Sequence, residues 1–366
     1  MNRENQTSAT FNERLTVYKQ AIETEIDRYA VTIRSTTKKK YGLYPGLVTD
    51  TYLDFLQRDG KRIRGALVMA GYELCGGQDR KMIVRAAMAL EMIHTYILII
   101  DDIQDRSRLR RGQPTVHETL AAYHRSHKLK GDSSHTGMSL ALDAALVGSH
   151  AAQAILIDLN VADQLKLSAL GVVNATIVVT THGQTMDIMN EVTKTASLED
   201  IEHVLEWKTA HYTILNPLCV GMVLAGASCE DTDAVRDYAL HTGMAFQITD
   251  DIIGVFGDDE RTGKNRMDDI REGKRTLLIE YALKHASGTD KRQLEINLGN
   301  AGLTEEEFVE CQRIIISSGA LNNTQSAAKK HVIAAVAAIG DGRPGWHKSS
   351  VEFLKGLAQG LLSRNA

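Results

Sequence analysis

The chain has 366 residues, 43% of them hydrophobic and 24% charged, with 42 Lys and Arg set against 46 Asp and Glu. These proportions are ample to build a buried core and exclude a disordered chain, and the charge balance excludes a globally cationic nucleic-acid binder. With only 4 prolines and 5% aromatic residues, and with apolar residues recurring three and four apart, the chain reads as all-α.

In chain order, a polar stretch at about 1–12 lacks the apolar core of a signal peptide. The first long helical period follows at FNERLTVYKQAIETEIDRYAVTI (11–33). A break at LCGGQDR (74–80) precedes KMIVRAAMALEMIHTYILIIDD (81–102), whose Arg85, Glu91 and His94 argue against a membrane span. Further breaks fall at RSRLRRGQPT (106–115) and HRSHKLKGDSSHTG (124–137). ATIVVTT (175–181) is rich in β-branched residues but continues into HGQTMDI, so its length makes it a buried helix. AVRDYALHTGMAFQITDDIIGVF (234–256) is the next strong helix, followed by a charged loop at 257–274, a break at 339–346 and a last helix at 350–364. None of the breaks is a linker and no period suggests a solenoid, so one domain over 1–366 is expected. Cys75, Cys219, Cys229 and Cys311 have no metal-ligand spacing. Cys219 and Cys229 read as small buried hydrophobes, and a reduced, cytoplasmic setting is expected.

Two acidic boxes carry the chemistry. In IIDDIQD (99–105), Asp101 and Asp105 are four apart, which on a helix sets their Cβ atoms about 5–6 Å apart on one face. Asp102 points roughly 100° away from Asp101. The Arg-rich turn comes at once, so these acids should occupy the last turn, where negative charge opposes the helix dipole and repels itself. Oxygen-only ligands of this kind suit Mg²⁺, which keeps water and phosphate oxygens in its shell. FQITDDIIGVFGDDERTGK repeats the pattern: Asp250 and Asp251 end an apolar run, with Asp258, Asp268 and Asp269 beyond. Cations accompany both boxes. DGKRIRG (59–65) holds Lys61, Arg62 and Arg64 within one turn, Arg110 and Arg111 follow the first box, and Lys208, Lys264 and Lys274 accompany the second. Carboxylates, Mg²⁺ and guanidinium groups together suit a diphosphate. Neither GxxxxGK[ST] nor GxGxxG occurs, which removes the usual nucleotide cradles.

The series GKRIR, DDIQD…LRRGQPTVH, KTAHYT and FQITDDIIGVFGD…TGK…DDIREGKRTLL, in this order, resembles the trans-isoprenyl diphosphate synthases from about residue 25 to the last helix. The resemblance implies an all-α, isoprenoid-synthase-type bundle around a central apolar cavity, a homodimer, and several Mg²⁺ ions, usually three. It implies isopentenyl diphosphate and an allylic diphosphate as substrates. By matching, Asp101 and Asp105, supported by Asp102, would ligate Mg²⁺ from one side, and Asp250, helped by Asp251 and Asp269, from the other. Arg110, Lys208 and Lys264 would clamp the allylic diphosphate, with Lys274 nearby. Lys61, Arg64, His94 and Arg111 would hold isopentenyl diphosphate, while Thr209 and Gln247 match positions beside the developing cation.

The sequence departs from the family pattern in three places. Asp59 and Gly65 replace the ends of GGKRxRP, which puts the rigidity of that loop in question. Ile100 stands where many relatives have His, and Gly254 stands where a DDxxD second box has its third Asp. Product length should be set upstream of Asp101. Tyr96, about 7.5 Å deeper along the helix, would form the floor, with Ile97 and Ile93 beside it. In relatives this combination suggests geranylgeranyl diphosphate, with farnesyl diphosphate as the alternative. A class I terpene synthase shares DDxxD but does not need GKRIR or this second box, and a non-catalytic regulatory subunit would be expected to lose acids that are present here.

Overall fold

The computed structural model describes residues 3–258 and 265–362, with side chains described from residue 11 onward. Helices make up 79% of it, in agreement with the all-α reading, and the strands among the described residues form a single two-stranded ribbon. The chain divides into two compact units. Unit A comprises Asn12–Leu170 and Pro217–Gly226; unit B comprises Met1–Phe11, Gly171–Asn216 and Ala227–Ala366.

Unit A is built from α1 (Arg3–Tyr41) past its first turns, α2 (Leu43–Gln57), α3 (Ile63–Leu74), α4 (Arg80–Gln104), α5 (Val116–Ser126), α6 (Ser133–Ile157) and the start of α7 (Asp163–Thr193). α4 is its axis, packed between α3 and α6. It begins where the Asp79 carboxylate accepts the Met82 N–H at 3.0 Å, an N-cap that satisfies one of the orphan donors of the first turn. Its apolar run is largely interior: Met88, Ala89, Leu90, Met92 and Ile93 are all buried. The fully buried Tyr52 of α2 ties in from the side, donating its hydroxyl to the Met92 carbonyl at 3.0 Å. Gly148 of α6 lets that ring in, because a Cβ at 148 would overlap Tyr52 Cε2 and Cζ.

Unit B holds the rest of α7, α8 (Leu198–His203), a π-helix at Val204–Leu215, α10 (Cys229–Ala234), α11 (Arg236–Phe256) and the C-terminal helices. The short α9 (Asn216–Leu224) belongs almost wholly to unit A. After the undescribed residues come α12 (Asp268–Glu272), α13 (Leu277–His285), α14 (Gly288–Asn297), α15 (Glu305–Ser317), α16 (Ala320–Ile339) and α17 (Lys348–Gly360). α11 lies between the π-helix and α16, and the Tyr238 hydroxyl near its start donates to the Leu354 carbonyl at 2.7 Å. α12 to α15 close around a core of Val255, Met267, Ile270, Leu278, Phe308 and Ile314.

Three sequence expectations need correction. By length and composition alone, α4, α6 and α7 could each cross a membrane, where the sequence reading expects no such stretch. In α4 the apolar stretch is 72% buried within the chain, but only 39% of the one in α6 and 17% of the one in α7 are buried. Residues 175–181 are therefore helical as expected but not a buried helix. Thr176 and Thr180 face inward while Val178 is exposed, because the apolar side of α7 has little of this chain to pack against. Cys219 is buried as expected, whereas Cys229 is exposed in the first turn of α10.

The close approach at Gly148 gives a test with an internal control. Gly148→Ala should lower stability by about 1–3 kcal/mol through overpacking against Tyr52. Gly171→Ala, in a helical position with open space around it, should raise stability by roughly 0.5–1 kcal/mol from helix propensity alone. Urea denaturation midpoints of the two variants should therefore move in opposite directions.

Candidate active site

In unit A the first acidic box falls in the last turn of α4, with Asp105 as the C-cap whose N–H donates to the Asp101 carbonyl at 2.8 Å. The expected self-repulsion is answered at once. Leu109–Arg110 and Gln113–Pro114 pair as an antiparallel ribbon, and Arg111 (φ 56°) and Gly112 (φ 70°) make the tight turn between them. Two left-handed central residues match the twist of a two-residue hairpin. The ribbon returns Arg110 against the acids: Nε donates to Asp102 Oδ1 at 2.5 Å and Nη2 to Asp101 Oδ2 at 3.0 Å. Asp102 is fully buried and Arg110 nearly so. Burial works against the Arg110 charge, but Asp102 and then Asp101 more than offset it and hold the guanidinium above its ordinary pKa. Asp105 is only half-buried.

The cations expected to bind isopentenyl diphosphate lie around the N-terminus of α3. Arg64 Nη1 is 3.2 Å from His94 Nε2. Burial, followed by the fields of Arg64, Arg111, Arg110 and Arg62, pushes His94 well below the ordinary histidine pKa. The imidazole is therefore neutral and its Nε2 accepts from Arg64. Lys61 is exposed and Arg111 donates to the Arg58 carbonyl at 3.2 Å. Arg62 is a clip rather than a ligand. In the left-handed region at φ 52°, it buries its guanidinium and donates to the Leu56 and Arg58 carbonyls, both at 2.9 Å, with Glu91 3.7 Å away.

This geometry answers the question of loop rigidity. Asp59 accepts from Lys19 of α1 at 2.6 Å, which ties the loop down from outside. Gly65 donates its N–H to Glu91 Oε1 at 2.8 Å, a bond that proline at this position would lack. The upstream residues are also placed. Ile93 is buried in the core, Ile97 is half-buried, and the half-buried Tyr96 hydrogen-bonds Ser149 of α6. Burial pushes the Tyr96 phenol up to about 12 against the opposing effect of Ser149.

In unit B the π-helix presents Lys208 and Thr209, in a helix type that recurs at functional sites. Gly183 of α7 and Gly243 of α11 admit its backbone closely: a Cβ at 183 would sit 2.9 Å from Lys208 Cα, and one at 243 would overlap Ala210. Thr209 then donates to Gln247 Oε1 at 2.8 Å, and Gln247 Nε2 donates to Asp251 Oδ1 at 2.7 Å. Lys208 Nζ pairs with Asp187 of α7 at 2.5 Å. Asp269 sits in α12, beside the last turn of α11; its Oδ1 is 3.7 Å from Lys274 Nζ, which also reaches Glu272 at 3.1 Å. Asp250 is half-buried on α11. Lys264 lies outside the described residues.

Asp251 is the most perturbed of these acids. Burial, opposed by the Gln247 hydrogen bond and reinforced by Asp269, Asp187 and Asp250, pushes its carboxyl up to about 8. Asp187 was missed by the sequence reading; its only signal was a lone acid in the otherwise uncharged THGQTMDIMN. Ser149 and Lys19 carried no signal at all, and Glu91 stood out only as a charge within the apolar run of α4. Among the described residues no three His, Cys, Asp or Glu side chains already converge as a metal cage. The donor sets are nevertheless all hard carboxylate oxygens, and a site completed by water and substrate phosphates is the kind Mg²⁺ takes.

Comparison with known proteins gives a consistent result. The model of the polyprenyl synthetase family matches residues 46–315. A geranylgeranyl diphosphate synthase of Saccharolobus solfataricus is 32% identical over 309 residues, covering 83% of this chain and 86% of that protein. A geranylfarnesyl diphosphate synthase of Aeropyrum pernix is 30% identical, covering 84% and 89%. Among solved structures, a geranylgeranyl pyrophosphate synthase of Corynebacterium glutamicum, complexed with isoprenyl diphosphate and magnesium, superposes with a TM-score of 0.90 at 29% identity, covering 95% of this chain and 99% of that one.

The raised Asp251 pKa sets a pH dependence. A folded-state pKa above the unfolded value means that the neutral carboxyl favours folding. That contribution is whole below about pH 4 and is lost as pH rises through about 8. In EDTA, Asp251→Asn should flatten this fall and melt above the parent at pH 8 but not at pH 4, as read by thermal denaturation at both pH values. Equal shifts at both would contradict the assignment.

Proposed function

The chain belongs to the polyprenyl synthetase family, and from that premise we propose how it acts as a short-chain trans-prenyltransferase. The reaction joins isopentenyl diphosphate to an allylic diphosphate in the presence of Mg²⁺, with geranylgeranyl diphosphate as main product. The observation that carries this reading is that each carboxylate box has cations held beside it, Arg110 at the first and Lys208 and Lys274 at the second. A regulatory subunit would have no use for so complete a set.

Asp101 and Asp105, with Asp102 behind them, would hold Mg²⁺ in the first box, and Asp250, Asp251 and Asp269 in the second, the family usually using three ions. When bound, the metal neutralises the allylic diphosphate and makes it a better leaving group. Arg110, oriented by Asp101 and Asp102, directs its remaining donors to that diphosphate, joined by Lys208, Lys264 and Lys274. Lys61, Arg64, Arg111 and the neutral His94 bind the diphosphate of the second substrate. Thr209 and Gln247 turn oxygen dipoles toward the allylic carbon as positive charge develops there. The isopentenyl double bond then closes the new C–C bond, and the proton released goes to the departed diphosphate. The protein supplies preorganised charge and no covalent nucleophile.

The Tyr96 ring, held by Ser149, closes the prenyl channel five residues below Asp101 and favours a twenty-carbon product over longer ones. Support for a homodimer comes from exposed apolar residues, Leu142 and Leu146 on α6 and Leu167, Val178 and Val192 on α7, which a second copy would cover.

With Mg²⁺, isopentenyl diphosphate and farnesyl diphosphate, Asp105→Ala should lower kcat/KM by about 10²–10³. Tyr96→Ala should extend products beyond twenty carbons, while Tyr96→Phe, which keeps the ring, should retain the parent length. An unchanged chain-length profile for Tyr96→Ala would remove Tyr96 as the floor.

A further inference from the structure

The chain shields its aromatic side chains from water, with one exception. Of 11 Tyr, 6 Phe and 2 Trp, all of them among the described residues, only Tyr41 and Tyr44 are exposed. They stand 60% and 63% exposed where α1 passes into α2, with Leu43 between them at 57%. Tyrosine combines an apolar ring with a polar tip, which suits a boundary between an apolar phase and water.

The turn holds these residues outward. α1 ends at Tyr41, Gly42 turns the chain at φ 88° and α2 starts at Leu43. The Gly42 N–H returns to the Lys38 carbonyl and the Gly46 N–H to the Gly42 carbonyl, both at 3.1 Å. The Lys38 stem closes over Gly46, where a Cβ would lie 3.4 Å from Lys38 Cβ. Every residue from Lys38 to Pro45 is exposed.

The same turn is cationic. No acid occurs between Asp27 and Asp50, whereas Arg28, Arg34, Lys38, Lys39 and Lys40 do, in a chain of net charge −4. Arg28 and Arg34 are met by Glu25 at 3.5 Å and Asp54 at 2.7 Å. Lys38, Lys39 and Lys40 form the last turn of α1, where positive charge suits the helix dipole. Lys40 Nζ lies 4.9 Å from the centre of the Tyr41 ring, so charge and ring share one surface.

We propose that this tip, Lys38 to Pro45, docks the protein on an anionic lipid bilayer. Tyr41, Leu43 and Tyr44 enter the headgroup layer, and the three lysines face the lipid phosphates. A nucleic acid would use the lysines and the rings but would give Leu43 and Pro45 no apolar phase to enter. None of these residues lies on α6 or α7, whose apolar faces are assigned above to a second copy. The docking does not depend on the proposed reaction; together with it, a lipid-soluble chain would be released beside the phase that takes it up.

The test is flotation of the full chain with vesicles of phosphatidylcholine, with and without phosphatidylserine. The parent should float with the anionic vesicles alone and detach as salt is raised. Each lysine beside an anionic surface strengthens binding about fivefold, so Lys38→Ala, Lys39→Ala and Lys40→Ala together should weaken it about a hundredfold. Leu43→Ser with Tyr44→Ser should weaken it about tenfold. Lys329→Ala with Lys330→Ala, at exposed positions of α16, should bind like the parent. All these side chains are exposed, so each variant should melt with the parent. A parent that does not bind anionic vesicles, or that binds phosphatidylcholine equally well, would overturn the inference. So would a triple lysine variant that binds like the parent, or tighter binding of the parent to a single-stranded oligonucleotide than to the vesicles.

Discussion

The constraint from which the rest follows is like charge gathered at the wrong end of an apolar helix. Asp101, Asp102 and Asp105 face the negative pole of α4. Asp102 is also fully buried, where an uncompensated carboxylate is not tolerated. The short ribbon that follows exists to bring back Arg110. A buried pair of this sort contributes little net stability, but removing either partner costs about 3–5 kcal/mol. Helix end, ribbon turn and guanidinium are therefore a single unit of structure. The arrangement fixes Asp102 as the anchor and leaves Asp105 partly open to solvent.

The same electrostatic logic extends to the anion side. His94 is surrounded by the fields of four arginines and stays neutral because of them and of its burial. Cations packed this closely repel one another; Glu91 beside Arg62, and Asp101 and Asp102 beside Arg110, offset part of that repulsion, and a diphosphate bound at the loop before α3, as proposed, would offset more. In unit B the balance is struck with carboxylates. Burial raises the Asp251 pKa, and Asp269, Asp187 and Asp250 add to the rise; a divalent cation bound among these acids would oppose it. Steric permission matters as much as charge: Gly183 and Gly243 admit the π-helix that carries Lys208 and Thr209, and Gly254 admits Asp269.

Much of this was legible in the sequence because it is local. The helical periods, the acid spacing in IIDDIQD and FQITDDII and the clustered cations all lie within one or two turns of chain. What could not be read is pairing over distance. Lys19 reaches Asp59 across 40 residues, Glu91 caps Gly65 across 26, and Lys208 meets Asp187 across 21. No periodicity encodes such partners. The π-helix also escaped, since its residues keep ordinary helical spacing. The burial of α7 was misjudged because apolar composition does not say which surface will cover it. The family resemblance supplied roles for the acids, while the structure shows the contacts that stand where Asp59 and Gly65 depart from its pattern.

The central claim is that these charges serve metal-dependent chain elongation ending at twenty carbons. It is tested most directly by giving the unaltered protein radiolabelled isopentenyl diphosphate with dimethylallyl, geranyl or farnesyl diphosphate, with Mg²⁺ and with EDTA, and measuring the chain length of the product. The account predicts a twenty-carbon diphosphate from at least one of these primers with Mg²⁺ and none in EDTA. Absence of condensation with every primer, or a cyclised hydrocarbon in place of a diphosphate, would contradict it.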